Sequence, residues 1–141
     1  MTHAHRARTA IAAMLGHPEA IRRPVPSVKA ARAALRPQGA LSRAARDREG
    51  VTTAQELVAI AVCDALTDAF HLGRTYALSP QDLEQLHIIR LSGRSFPGGT
   101  TGCAAALACY VGDLRRLAAA YGLSEIRLVN RAKKDYQDEI A

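Results

Sequence analysis

Tryptophan is absent from the 141-residue chain, and phenylalanine and tyrosine together make up only 4% of it. Residues that favour strands, such as Val, Ile and Tyr, are outnumbered by helix formers such as Ala, Leu and Arg. Hydrophobic residues make up 48% and charged residues 23%, which is typical of a globular protein and not of a disordered one. The composition therefore predicts one folded chain of the all-α class.

Cysteine is also scarce, and its three copies are Cys63, Cys103 and Cys109. The odd number and the lack of a Cys-x-x-Cys pair argue against both a disulfide framework and a zinc knuckle. Each cysteine lies near Ala, Leu or Val, where a free thiol behaves as a small core hydrophobe. We expect free thiols and a reducing, cytoplasmic setting.

Long apolar runs are missing too, so the sequence predicts no membrane-spanning helix and no membrane partner. The apolar stretch 10–15 is shorter than the hydrophobic region of a signal peptide, and Gly-His-Pro follows it. We therefore expect no export. A mitochondrial transit peptide, which an Arg-rich start can imitate, is a less favoured alternative.

Positive charge is concentrated at one end of the chain. Residues 1–50 contain ten Lys and Arg against three acidic residues, whereas the remaining residues are nearly neutral. A basic segment attracts polyanions by neutralising phosphates, whatever the nucleotide sequence. Arg22 and Arg23 are our predicted phosphate contacts in this segment. An acidic protein partner, a membrane surface or simple solubility are the alternatives.

Residues 1–50 read as a basic, partly extended N-terminal arm with short helices. Gly16 and Pro18 end a first helix over Thr9–Leu15, and Arg22–Pro26 favours an extended linker. Ser27 then caps a helix over Val28–Arg36. A further basic helix is predicted over Leu41–Arg48, and the arm gives way to a helical domain at residues 51–141.

Four stretches after residue 51 show helical periodicity, which predicts a small bundle of about four core helices. In the second stretch, which begins at Ser79, the predicted buried stripe is Leu83, Leu86 and Ile89, with Ile88 as a further candidate. His87 is predicted to be half-exposed, and a strand over Leu86–Leu91 is the alternative. Each helix begins at a Ser or Thr cap and most end near a glycine. The predicted helices run from Thr52 or Thr53 to about Leu72, from Ser79 to Gly93, from Thr100 or Thr101 to about Tyr121, and from Ser124 onward.

Residues 114–133 resemble the helix-turn-helix of bacterial and phage regulators. Ala118 stands where a small residue lets two helices approach, and Gly122 stands at the turn. Leu123 and Leu128 stand at the apolar positions that fix the angle between the helices. Arg131 departs from the pattern, since an inward apolar residue is usual there, and a plain helical hairpin is the alternative.

The resemblance implies that the second helix enters the major groove of double-stranded DNA. Asn130 could then pair with adenine, and Arg127 or Arg131 with guanine. Ile126 and Val129 would also face the base edges. The implied phosphate contacts are Arg115, Arg116, Lys133 and Lys134.

Two other patterns could carry chemistry. The glycine-rich loop 93–102 precedes a helix, but Gly99 stands where a phosphate loop needs lysine, so a capped loop is favoured over an anion site. Asp64, Asp68 and His71 share one helix face and could bind a metal or move protons, although a solvated face is the simpler interpretation. The other histidines lack the spacing of zinc ligands.

Together these features predict a small DNA-binding protein, a transcriptional regulator of bacterial or mobile-element origin. We expect double-stranded DNA as its partner, a homodimer as its form, and no metal, cofactor or enzymatic activity. The alternative is a helical protein–protein interaction module, an adaptor or inhibitor, that binds an acidic partner.

Overall fold

A computed structural model describes residues 2–16, 26–36, 39–40 and 53–141. All regular structure within these ranges is helical, which confirms the all-α prediction, and residues 86–91 lie in a helix rather than a strand. The described helices are α1 (His3–Leu15), α2 (Val28–Leu35), α3 (Ala54–Thr75), α4 (Pro80–Leu91), α5 (Gly102–Ala120) and α6 (Glu125–Ile140).

Each helix begins at a Ser or Thr whose side chain accepts a backbone N–H from the first turn. α4 has the fullest cap, because Ser79 Oγ accepts from Asp82 N at 3.1 Å and Asp82 Oδ2 accepts from Ser79 N at 2.9 Å. The predicted caps are confirmed for α2 to α6, while α1 begins at His3, earlier than its predicted start at Thr9. The six caps are Thr2, Ser27, Thr53, Ser79, Thr101 and Ser124.

α3 lies at the centre of the bundle, where it packs against α1, α5 and α6. Its buried side chains therefore surround the helix instead of forming one stripe, and Leu66 and Phe70 are among the largest of them. α5 forms a second layer between α2 and α4, with Tyr110 and Leu114 fully buried. Among the described residues, most of the largest fully buried side chains lie on these two helices.

The two described helices of the basic segment share this core. α1 buries Ala7, Ala10, Ile11 and Met14, and α2 buries a similar alanine-rich stripe. α1 packs on α3, and α2 packs on α5. The predicted helix at 41–48, the residues Arg22 and Arg23, and the boundary near residue 50 lie outside the described ranges and stay predictions.

Three predicted details are wrong for tertiary reasons. α3 continues past Gly73, where a Cβ atom would lie 3.0 Å from the Leu78 carbonyl oxygen, so this glycine permits close packing instead of ending the helix. The inner face of α4 carries Leu83, His87 and Arg90, whereas Leu86 and Ile89 are half-buried and Ile88 is exposed. His87 is only 3% exposed, so the half-exposed prediction is also wrong. None of the described helices combines the length and apolar character needed to cross a bilayer.

Candidate functional site

The turn between α5 and α6 positions the first candidate site. α5 ends at its cap residue Tyr121, and Gly122 follows with φ +72°, a backbone conformation that glycine adopts without strain. Leu123 N donates to the Ala118 carbonyl at 3.0 Å, which closes the helix end. Ser124 Oγ then accepts from Arg127 N at 3.4 Å and begins α6.

α6 has two distinct faces. Val129, Ala132 and Tyr136 are buried, and the helix packs mainly against α3 and less against α5. The opposite face is exposed at spacings of three and four residues, so its side chains point in one direction. We call this exposed face the basic stripe; its members are Arg127, Asn130, Arg131 and Lys134.

The exposed and buried faces of α6 differ from those that the helix-turn-helix resemblance implies. Arg131 is exposed, although the helix-turn-helix resemblance expects an inward apolar residue there, because Val129 and Ala132 form the buried face. Val129, which the resemblance places toward the base edges, is buried and cannot contact DNA. Ile126 is 67% exposed and lies beside the stripe, while Lys133 is half-buried.

The two arginines predicted to contact phosphate from α5 differ in their surroundings. Arg115 is 12% exposed, with Nη1 2.5 Å from Glu84 Oε2 and Nε 3.2 Å from Glu125 Oε1. It therefore links α4, α5 and α6 and its charge is balanced by two carboxylates. Arg116 is exposed, and it has no ion-pair partner within the described part of the chain. Arg116 is the better phosphate candidate.

A second candidate site surrounds the acidic face of α3. Asp68 is only 2% exposed, so the solvated-face interpretation is wrong for this residue. Arg6 of α1 donates to it through Nε at 3.0 Å and Nη2 at 3.1 Å. His3 Nδ1 lies 2.5 Å from Asp68 Oδ1, and His71 Nε2 lies 2.5 Å from a carboxylate of α6. Asp64, the third predicted member, is exposed.

Sequence reasoning missed His3 and Glu139 as members of this second site. They come from opposite ends of the chain, and the packing of α1 and α6 on α3 brings them to His71. The two imidazole rings are stacked, with centroids 4.3 Å apart and planes 11° apart. No local spacing could have revealed this arrangement, because the contacts join three helices.

A third polar cluster is buried between α4 and α5. Arg90 Nη1 lies 3.3 Å from Asp113 Oδ1, which also accepts from Ser27 N at 3.0 Å. Burial raises the pKa of Asp113, while the Ser27 N–H and Arg90 oppose that shift. Because these groups join the start of α2 to α4 and α5, we assign the cluster a structural role.

The loop before α5 is a capped loop, as favoured from the sequence. Thr101 accepts from Ala104 N at 3.1 Å, and Thr100 N donates to the Pro97 carbonyl at 3.1 Å.

No protein family, curated protein or solved structure matches the chain. The resemblance of residues 114–133 to regulators stays a prediction.

Proposed function

We propose that the protein is a small cytoplasmic DNA-binding regulator that inserts α6 into the major groove of double-stranded DNA. The observation that carries this proposal is the basic stripe, in which Arg127, Asn130, Arg131 and Lys134 share one exposed face. None of its three cations has an ion-pair partner among the described residues. Such a face matches the polyanionic surface and the acceptor-rich base edges of DNA.

The position of the cations on α6 supports the same function. No acidic residue lies between Ile126 and Lys134, and Glu125 is already paired with Arg115. Arg127 lies in the first turn, where the helix dipole favours acidic rather than basic residues. Helix stability therefore does not account for this arginine, whereas a phosphate or guanine would.

The stripe also contains the residue types that read bases. Asn130 can form a bidentate pair with adenine, and Arg127 or Arg131 with guanine. Ile126 is exposed beside Asn130 and could contact a thymine methyl group. Because one motif reads a short half-site, we propose that the protein binds as a homodimer, while the chain's net charge of +6 adds sequence-independent affinity.

Selection of sites from a random duplex library tests the proposal. Arg127→Ala and Asn130→Ala should each lose about 1–3 kcal/mol at particular base positions, with helicity by circular dichroism unchanged. Arg116→Ala should weaken binding to all sites evenly, because a phosphate contact carries no base information. Arg74→Ala is the matched control, because this exposed arginine lies in the last turn of α3 and not on α6. It should leave the preference for particular base sequences unchanged.

Two results would overturn the proposal. If the library yields no preferred sequence, or if Arg127→Ala changes binding no more than Arg74→Ala does, α6 is not a recognition helix. If no duplex binds at low salt but an acidic polypeptide does, the protein is an interaction module instead.

A further inference from the structure

His3, His71 and Glu139 bring three potential metal ligands together from three different helices. One ligand atom from each lies within 4.8 Å of the other two. Glu139 Oε2 is 2.5 Å from His71 Nε2 and 3.2 Å from His3 Nε2. Two imidazole nitrogens and one carboxylate oxygen form a ligand set that suits Zn²⁺.

The contact between His3 and Asp68 determines which nitrogen of His3 is available. A carboxylate can only accept, so the 2.5 Å contact with Asp68 Oδ1 requires the proton on Nδ1. Arg6 Nη2 also lies 3.0 Å from this nitrogen, but a protonated Nδ1 has no lone pair to accept from it. A His3 ring with this single proton presents the lone pair of Nε2 to Glu139, 3.2 Å away.

The lone pair of His3 Nε2 and the carboxylate of Glu139 repel each other, because both are hydrogen-bond acceptors. A cation between the two atoms removes this repulsion. In metal sites, a histidine that donates one N–H to a carboxylate and binds the metal through its other nitrogen is the usual arrangement. Asp68 has this outer role here, because it is buried and held by Arg6. A second proton on His3 is the competing explanation for the same contact.

The surroundings favour a cation as well. A cleft of about 290 Å³ opens beside the ligands and has more acidic than basic side chains on its walls. Arg6, the basic residue on those walls, is already bound to Asp68. The acidic residues that line the cleft are Asp64, Asp68, Asp135 and Glu139.

We propose that His3, His71 and Glu139 bind one Zn²⁺ ion that joins α1 to α3 and α6. His71 Nε2, 2.5 Å from Glu139 Oε2, donates a proton to this carboxylate in the metal-free protein, so Zn²⁺ would displace that proton and side-chain rotation would make room for the ion. Three protein ligands leave a fourth position for water from the cleft. This inference does not depend on DNA binding, because none of its ligands belongs to the basic stripe.

Titration of the full chain with Zn²⁺ alone tests the proposal, in a Cys103→Ser background that removes the exposed thiol. We expect one ion per chain and a rise in Tm with Zn²⁺ concentration. His3→Gln, His71→Gln and Glu139→Gln should each weaken binding by more than the roughly 10–100-fold typical of outer-shell changes. Co²⁺ in place of Zn²⁺ should give the visible absorption of a four-coordinate site.

Two matched controls separate a site from general charge effects. His5→Gln changes an exposed histidine on the same helix as His3, and Asp138→Asn changes an exposed acid next to Glu139. Both variants should bind Zn²⁺ as tightly as the background chain, and all variants should retain their helicity. Absence of stoichiometric binding, or equal loss in His5→Gln and His3→Gln, would overturn the proposal and leave protons as the cations of this cluster.

Discussion

His87 is a buried imidazole in an environment that disfavours its charged form. Its side chain faces Gly112 on α5, where a Cβ atom would come within 2.9 Å of Nδ1. Burial lowers the pKa of His87, and Arg115 and Arg90 lower it further, whereas two carboxylates oppose them. The folded protein therefore holds this side chain neutral at pH values where the unfolded chain protonates it.

The lowered pKa of His87 makes stability depend on pH. The pKa of His87 in the folded protein lies below its unfolded value of about 6.5. The contribution of neutral His87 to stability is therefore fully present above the unfolded pKa, and it is lost as the pH falls from there through the folded pKa. We expect His87 to lower the free energy of unfolding as the pH falls from about 7.5 to about 5, so that the wild type loses more stability over this range than His87→Gln does.

Urea denaturation at the two pH values measures this difference. His5→Gln is the control, because His5 is exposed and its replacement should leave the pH dependence of the wild type unchanged. A His87→Gln variant with the same pH dependence as the wild type would contradict a neutral, buried His87.

The burial of His87 illustrates what single residues in the sequence could not reveal. Apolar periodicity placed Leu86 and Ile89 on the inner face of α4, yet both are half-buried. His87 fits inside because Gly112, on another helix, leaves space for its ring. Periodicity reports apolar character along one helix and carries no information about a small residue on its neighbour.

Helix boundaries, by contrast, were largely predictable because local chemistry sets them. Caps such as Ser79 and Ser124 satisfy backbone donors within one turn, so their effect does not depend on distant residues. Gly122 ends α5 for the same local reason, since its φ is positive. Gly73 resembles a helix end in the sequence, as Gly122 does. Its role is to leave space for the Leu78 carbonyl oxygen, and only the folded structure reveals this contact.

The turn between α5 and α6 gives a prediction for one glycine. In Gly122→Ala the new Cβ makes no steric clash, because the nearest atom, Gln55 Nε2, is 3.6 Å away. The loss of stability therefore comes from holding alanine in a left-handed backbone conformation. We expect a loss of about 1–2 kcal/mol in the free energy of unfolding. Gly98→Ala is the matched control, because Gly98 has no neighbour within 4 Å and no positive φ.

Urea denaturation of both glycine variants measures the effect. The Gly98→Ala change should stay within about 0.5 kcal/mol of the wild type, as expected for an unstrained surface position. Equal stability of the two variants would mean that residue 122 does not need a left-handed backbone, and the geometry of the turn would then need another explanation.

At the scale of the whole molecule, composition predicted the class of fold but not the packing partners. Alanine-rich periodicity in residues 3–15 is the same whether a helix is solvated or buried, and only the structure places it on α3. The residues of the basic stripe lie on one helix, α6, and could be named from the sequence. The cluster of His3, His71 and Glu139 could not, because it depends on how three helices assemble.

The packing of α1 predicts that the basic segment contributes to global stability. Met14 is fully buried and Leu15, its neighbour, is 43% exposed, so the two residues form a matched pair. Met14→Ala should lower the free energy of unfolding by about 2–5 kcal/mol, because it removes buried methylene groups and leaves a cavity. Leu15→Ala should change it by less than about 0.5 kcal/mol.

Circular dichroism and a second probe should report one coincident transition, as for a single cooperative unit. If both variants instead unfold like the wild type, α1 is not part of the stable core and residues 1–50 behave as a separate arm.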